Sequence, residues 1–164
     1  MVSKSAVTDF RRRLLEWFEA SARDLPWRQT RDPYAIWVSE TMLQQTRVAV
    51  VVEYYRRFME RFPHLASLAA ASEEDVLAVW SGLGYYRRAR ALHESARAVV
   101  AEYNGRIPRT AAGLARLPGV GVYTAAAVAS IAFNEPVAAV DGNVERVLTR
   151  YYGHEPVAGA ARGA

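Results

Sequence analysis

The chain has 164 residues, 51% of them apolar and 23% charged, which is enough hydrocarbon for one ordinary globular domain and too little chain for two complete enzyme domains. It carries no cysteine, excluding disulfides, thiolate nucleophiles and thiolate-held zinc or iron–sulfur sites within these residues. Basic residues outnumber acidic ones by 21 to 17, a mild positive bias that suits a polyanion. Lys4 is the only lysine, so an amine nucleophile for imine chemistry would have to come from Lys4 or the N-terminus. No apolar run approaches the roughly 20 residues of a membrane span, and the first residues lack a signal-peptide core. A soluble cytoplasmic protein is expected, with no membrane partner.

Phe10, Leu14, Trp17 and Phe18 share one helical face, predicting a helix from Thr8 to about Ser21 with Thr8 or Asp9 as its cap. Pro26 and Pro33 interrupt the chain, and Pro33 suits the first turn of a helix running through Tyr34, Trp37 and Leu43. The β-branched run at Val48–Val52 would fit a buried strand, but Val48, Val51, Val52, Tyr55, Phe58, Met59 and Phe62 keep helical spacing up to Pro63. Ser72 followed by Glu73, Glu74 and Asp75 reads as a capped helix start leading to Val76, Leu77 and Trp80. Gly82 and Gly84 break that helix, and another runs from about Tyr86 to Tyr103, ending at Asn104-Gly105. A short helix at Thr110–Arg116, the turn Leu117-Pro118-Gly119-Val120-Gly121 and an alanine-rich helix from Val122 to Phe133 follow. A last helix starts near Asp141 and fades by Gly153, and an aperiodic, unstructured tail is expected at 153–164. The fold class is therefore all-α.

Several segments combine residues that chemistry uses. Gly119 and Gly121 at the helical hairpin turn outward-facing amides and a helix N-terminus into an anion site, although a plain structural corner needs the same glycines. Glu40, among Trp37, Met42 and Leu43, would have its acidity weakened by desolvation, as a general acid requires; a glutamate on a polar helix edge is the alternative. Gln44, Gln45 and Thr46 follow, residue types that read base edges or lie on a solvated face. Asp141 reads as an N-cap, and the same position keeps it ionised. One carboxyl driven toward neutrality and one held charged is the pairing that glycosidic cleavage uses, but nothing in the sequence joins positions 40 and 141. Trp80-Ser-Gly-Leu-Gly-Tyr-Tyr-Arg-Arg-Ala-Arg offers Leu83 or Tyr85 as a wedge and Arg87, Arg88 and Arg90 near phosphates, or else a solvated arginine face. His64, His93 and His154 lack metal-ligand spacing.

Taken in order, the segments LPWR, PYAIWVSETMLQQT, WSGLGYYRRAR, LPGVGVYTA and VDGNVERV resemble the adenine DNA glycosylases of the helix–hairpin–helix glycosylase superfamily, over about residues 7–152. They resemble endonuclease III, a pyrimidine glycosylase, more distantly. The resemblance implies hydrolytic removal of adenine paired with 8-oxoguanine or guanine in double-stranded DNA, with the adenine flipped out of the helix. It makes Glu40 the acid that protonates adenine and Asp141, with Asn143 beside it, the carboxylate that stabilises the sugar cation. Tyr123 takes the place of the imine-forming lysine of bifunctional relatives. Trp27 and Arg28 would line the adenine pocket; Gln45, Thr46, Leu83 and Tyr85 would address the opposite base; Gly119 and Gly121 would hold phosphate. It further implies a helical barrel at 28–137 with the hairpin at about 110–133. An incomplete second helical domain would be built from the chain ends, 1–27 and 138–152. Against full-length members the chain lacks the remaining helices, the four cysteines of the [4Fe–4S] loop and the domain that recognises 8-oxoguanine. A truncated member is expected, with impaired excision or with DNA binding alone, and with apolar surface exposed on the end helices. No cofactor is expected except a monovalent cation at the hairpin. The expected state is a monomer prone to self-association through those helices, resident at a bacterial nucleoid.

Overall fold

In the computed structural model, residues 4–153 are described, all secondary structure among them is helical, and the tail from His154 onward, with the last part of its expected disorder, lies outside them. The elements are α1 (Lys4–Ser21), a 3-10 turn (Pro26–Arg28), α2 (Pro33–Leu43), α3 (Val48–Arg61), α4 (Leu65–Ala70), α5 (Glu73–Trp80), α6 (Arg87–Glu102), α7 (Ala111–Leu114), α8 (Val122–Phe133) and α9 (Gly142–Tyr152).

Helix α2 is the axis of the barrel. Every residue from Tyr34 to Met42 is buried, so the helix is covered on all sides, with Ser39, Glu40 and Thr41 the polar residues enclosed among apolar ones. Pro33 occupies its first turn as expected, and Asp32 caps it by accepting from the Tyr34 amide at 3.0 Å. Around α2 lie α3, α6 and α8, with α4 and α5 packed on α6, and α7 on α8. Alanines 125, 126, 127 and 129 of α8 are buried and present only methyl groups, so α8 approaches α2 closely. On the other side, Phe58 meets Phe62 and Trp80 edge to face at 5.1 and 5.8 Å. The Tyr34 hydroxyl donates to the Phe62 carbonyl at 2.8 Å, tying the start of α2 to the end of α3.

Two local expectations are corrected. Helix α1 begins at Lys4, so Asp9 is an interior residue rather than a cap, bound to Arg12 at 2.6 Å and Arg13 at 2.8 Å. Helix α4 has no counterpart in the sequence reading, because Leu65 and Leu68 alone give periodicity nothing to work on. Its start is closed by Ser67, whose hydroxyl donates to the His64 carbonyl at 2.6 Å and accepts from the His64 amide at 3.2 Å.

The two end helices meet each other, Phe10 lying 4.6 Å from Tyr151 and 5.9 Å from Tyr152 between ring centres. They stay outside the barrel core. Leu14, Leu15, Trp17 and Phe18 of α1 are 46–62% exposed, and α9 has no buried residue. The expected exposure of apolar surface on both helices is thus observed.

Candidate catalytic site and nucleic-acid interface

Glu40, Tyr123 and Asp141 converge although 83 and 18 residues separate them along the chain. Packing of α2 on α8 puts Glu40 beside the first turn of α8, where the Tyr123 hydroxyl hydrogen-bonds its carboxyl group. The loop after α8 then returns, so that Asp141, at the head of α9, bears electrostatically on both. Glu40 is 9% exposed, which excludes the polar-edge alternative.

Different causes shift the acidities of the three groups in different directions. Burial pushes the Glu40 carboxyl up; the Tyr123 hydrogen bond draws it down and the Asp141 charge raises it, leaving it above the ordinary value. Burial, then the charges of Glu40 and Asp141, keep the Tyr123 hydroxyl protonated and therefore a donor. Partial burial also pushes Asp141 up, but hydrogen bonds outweigh it and leave Asp141 below the usual carboxylate range. The Val144 amide donates to it at 2.8 Å, the Asn143 amide at 3.0 Å and the Asn143 side chain at 3.1 Å. Asn143 in turn accepts from Arg146 at 3.0 Å. A carboxyl whose hold on its proton is strengthened and a carboxylate held ionised thus flank one site, each suited to an opposite end of a breaking glycosidic bond.

Trp27 is buried and packs edge to face on Tyr55 at 5.2 Å. Arg28 is exposed, donates to the Arg23 carbonyl at 3.1 Å and lies 5.3 Å from the Phe18 ring. The structure thus gives this pair packing partners on α3 and α1.

At the C-terminal end of α2 the exposed Gln45 takes φ +57°, and Tyr85, 60% exposed, takes φ +49°. Non-glycine residues avoid this region, and such strain gathers where side chains must face a ligand. Thr46 is half-buried next to Gln45. Leu83 departs from its expected wedge role, since it is 6% exposed and belongs to the core, leaving Tyr85 as the outward side chain of that turn. The arginines divide similarly. Arg87 is exposed, Arg90 pairs with Glu73 at 2.8 Å, and Arg88 turns inward onto main-chain carbonyls of α2 instead of toward phosphate. Nothing in the run Arg-Arg-Ala-Arg distinguishes these fates, because position along a helix decides them. Gln44 also has a role that its sequence does not signal, donating to Thr124 of α8 at 3.1 Å.

The hairpin joins α7 to α8. Gly119 takes φ +68°, and a Cβ there would lie 2.4 Å from that of Ala91, so the turn needs glycine to pack on α6. Gly121 caps α8 with φ −76° and no neighbouring atom within 4 Å of a would-be Cβ. Its missing side chain opens onto space outside the protein. Among the described residues no cluster of His, Asp and Glu fits a metal ion; His93 is buried with Nε2 3.1 Å from the Ala71 carbonyl.

Residues 38–161 match the HhH-GPD superfamily of base excision DNA repair proteins. The chain is 56% identical over 153 residues to the adenine DNA glycosylase of Rattus norvegicus, a match spanning 88% of this chain but 30% of that protein. It superposes on a thermostable thymine-DNA glycosylase with a TM-score of 0.84 and 36% identity, covering 89% of this chain and 68% of the other. Against an endonuclease III solved as a non-covalent complex with DNA, the TM-score is 0.76 at 29% identity, with 90% and 68% covered.

Proposed function

The chain belongs to the HhH-GPD superfamily of base excision DNA repair proteins, and from that membership we propose that it hydrolyses the N-glycosidic bond of adenine paired with 8-oxoguanine or guanine in double-stranded DNA. The observation that carries this reading is the meeting of Glu40, Tyr123 and Asp141. Glu40 delivers its proton to the departing adenine, so that the base leaves neutral. Tyr123, protonated throughout, orients the Glu40 carboxyl. Asp141, held ionised by Asn143 and the α9 amides, stabilises the positive charge that grows on the sugar until water adds to it and gives up a proton to the Glu40 carboxylate. Tyr123 has no amine, so it forms no imine with the sugar and the reaction ends at the abasic site.

The remaining assignments serve the duplex. Gln45, Thr46 and Tyr85 face the base opposite the adenine, Trp27 and Arg28 stand at the adenine side, and phosphate lies over Gly119 and Gly121. A monovalent cation at the hairpin is part of the same proposal. The Leu114, Leu117 and Pro118 carbonyls there accept from Leu117 N, Val120 N and Ser95 Oγ, and each keeps a second lone pair, so the donor chemistry fits such an ion. The protein acts as a monomer at the bacterial nucleoid, with self-association through the α1 and α9 faces at high concentration.

A silent DNA-binding protein is the second reading, favoured by the lack of any buried residue in α9, which carries Asp141. Release of adenine from duplexes with 8-oxoguanine, guanine or thymine opposite it separates the two. The first reading expects release from the first two, abolished by Glu40→Gln with binding retained. Binding without release supports the second, and Glu40→Gln cleaving as fast as the parent refutes the assignment of the acid.

A further inference from the structure

Arg88 holds together the two strained turns. Its Nη1 donates to the main-chain carbonyls of Thr41 at 3.1 Å and Met42 at 2.8 Å, and to that of Gln44. Nη2 reaches the Thr46 hydroxyl at 3.1 Å and the Gly84 carbonyl at 3.3 Å. The guanidinium lies 5.3 Å from the Tyr85 ring and 5.6 Å from that of Trp80. One planar fork therefore grips the end of α2, the turn that presents Gln45 and the turn that presents Tyr85. Carbonyls at a helix C-terminus lack partners within the helix, and a cation there satisfies them. Arg88 Nε, however, is buried with no partner. An unmet buried donor is unfavourable, so the clamp is retained against a local cost. The first carbonyl in the set belongs to Thr41, the residue after Glu40.

We propose that Arg88 is a positioning residue that locks the Gln44–Thr46 and Gly84–Tyr85 turns into one rigid unit attached to the helix bearing Glu40, so that the base opposite the excised one is read by a single surface. Its DNA-reading half rests on the glycosylase function proposed above; the joint rigidity of the two turns stands apart from it. Lysine at this position keeps the charge but cannot span both turns, because an ammonium has no planar fork.

The test uses Arg88→Lys, Arg88→Met and Thr46→Val in the full chain. Backbone order parameters are measured by NMR, together with affinity for duplexes carrying adenine opposite 8-oxoguanine or opposite thymine. Both Arg88 variants are expected to lower the order parameters of Gln45, Thr46, Gly84 and Tyr85 together, from about 0.85 to below about 0.6, while Ala125–Ala129 keep theirs. Preference for the 8-oxoguanine duplex should fall at least tenfold, as Kd ratios. Loosening of one turn alone, unchanged order at both, or a retained preference in a folded Arg88 variant overturns the proposal. Thr46→Val removes the Arg88 contact together with the hydroxyl's bond to the Gln44 carbonyl at 3.3 Å, with no change to the arginine, and its effect on the Gly84–Tyr85 turn decides the matter if the Arg88 variants do not fold. It should loosen Gly84–Tyr85 as well as its own turn, and confinement to its own turn overturns the clamp. A parent chain with neither excision nor preference defeats the glycosylase reading, and the order parameters then judge the clamp, joint loosening supporting it and independent loosening overturning it.

Discussion

Glu40 is a carboxyl group placed where an uncharged side chain would serve stability better. Its native acidity is weakened mainly by burial, so between the ordinary carboxylate value and its raised value the folded state holds a proton that the unfolded chain has lost. Stability therefore falls as pH rises through that window and is level above it. Glu40→Gln keeps the shape without the titration. Its melting temperature should pull ahead of the parent's as pH climbs above about 4.3, the unperturbed glutamate value, and the gap should shrink in acid. A gap of the same size at all pH values, in parallel thermal melts, contradicts the protonation assigned to Glu40. Excision by the parent should likewise decline as pH rises through the same raised value, since only the protonated acid can deliver a proton. The sequence showed that Glu40 has apolar neighbours in its own helix. It did not show Tyr123 or Asp141, whose influence on Glu40 arises from the packing of α8 and the return of the chain.

At the scale of elements, the hairpin contains two glycines with different duties. Gly119 needs its positive φ and its close approach to Ala91, so Gly119→Ala forces a backbone conformation worth about 1–2 kcal/mol in strain and adds a clash with α6. Gly121 needs neither, and Gly121→Ala should cost no more than about 1 kcal/mol, the price of a poorer N-cap. If phosphate sits over Gly121, that small loss of stability should accompany a clear loss of duplex affinity. Paired melting and DNA titrations check this, and unweakened binding by Gly121→Ala removes phosphate from that position. The motif itself was legible, as were the bounds of α8, because proline, glycine and a run of small residues mark them locally. That Gly119 answers to α6 was not, since Ala91 enters only through the fold.

For the whole molecule, the barrel and the end helices should differ in stability. Residues 34–133, with Leu25 and Trp27, enclose the core, whereas α1 leaves Leu14, Leu15, Trp17 and Phe18 largely in water, and each such side chain forgoes part of the roughly 1.5–3 kcal/mol that burial provides. Hydrogen exchange is expected to be slow in the barrel and fast in α1 and α9. Equal protection throughout would mean that the contacts of Phe10 with Tyr151 and Tyr152 suffice to build a stable unit. Duplex binding should weaken steeply and linearly in log affinity against log salt, because neutralised phosphates release counterions. Affinity that is flat across a salt series would remove the electrostatic account of the interface.

Apolar periodicity, with the prolines, glycines and capping residues that punctuate it, was enough to specify the helical class and nearly every long helix. The sequence also singled out Glu40, Asp141 and the hairpin, since an acid among apolar residues, a capping aspartate and a glycine turn are local patterns. Tertiary structure alone decided that Glu40, Tyr123 and Asp141 share one site and that Leu83 goes inward while Tyr85 stays outside. It alone turned Arg88, one arginine in a run of similar neighbours, onto the carbonyls of α2. Periodicity is a property of one segment, whereas these outcomes depend on which surfaces of different segments come within hydrogen-bonding and Coulombic reach, and only the packed chain brings them there.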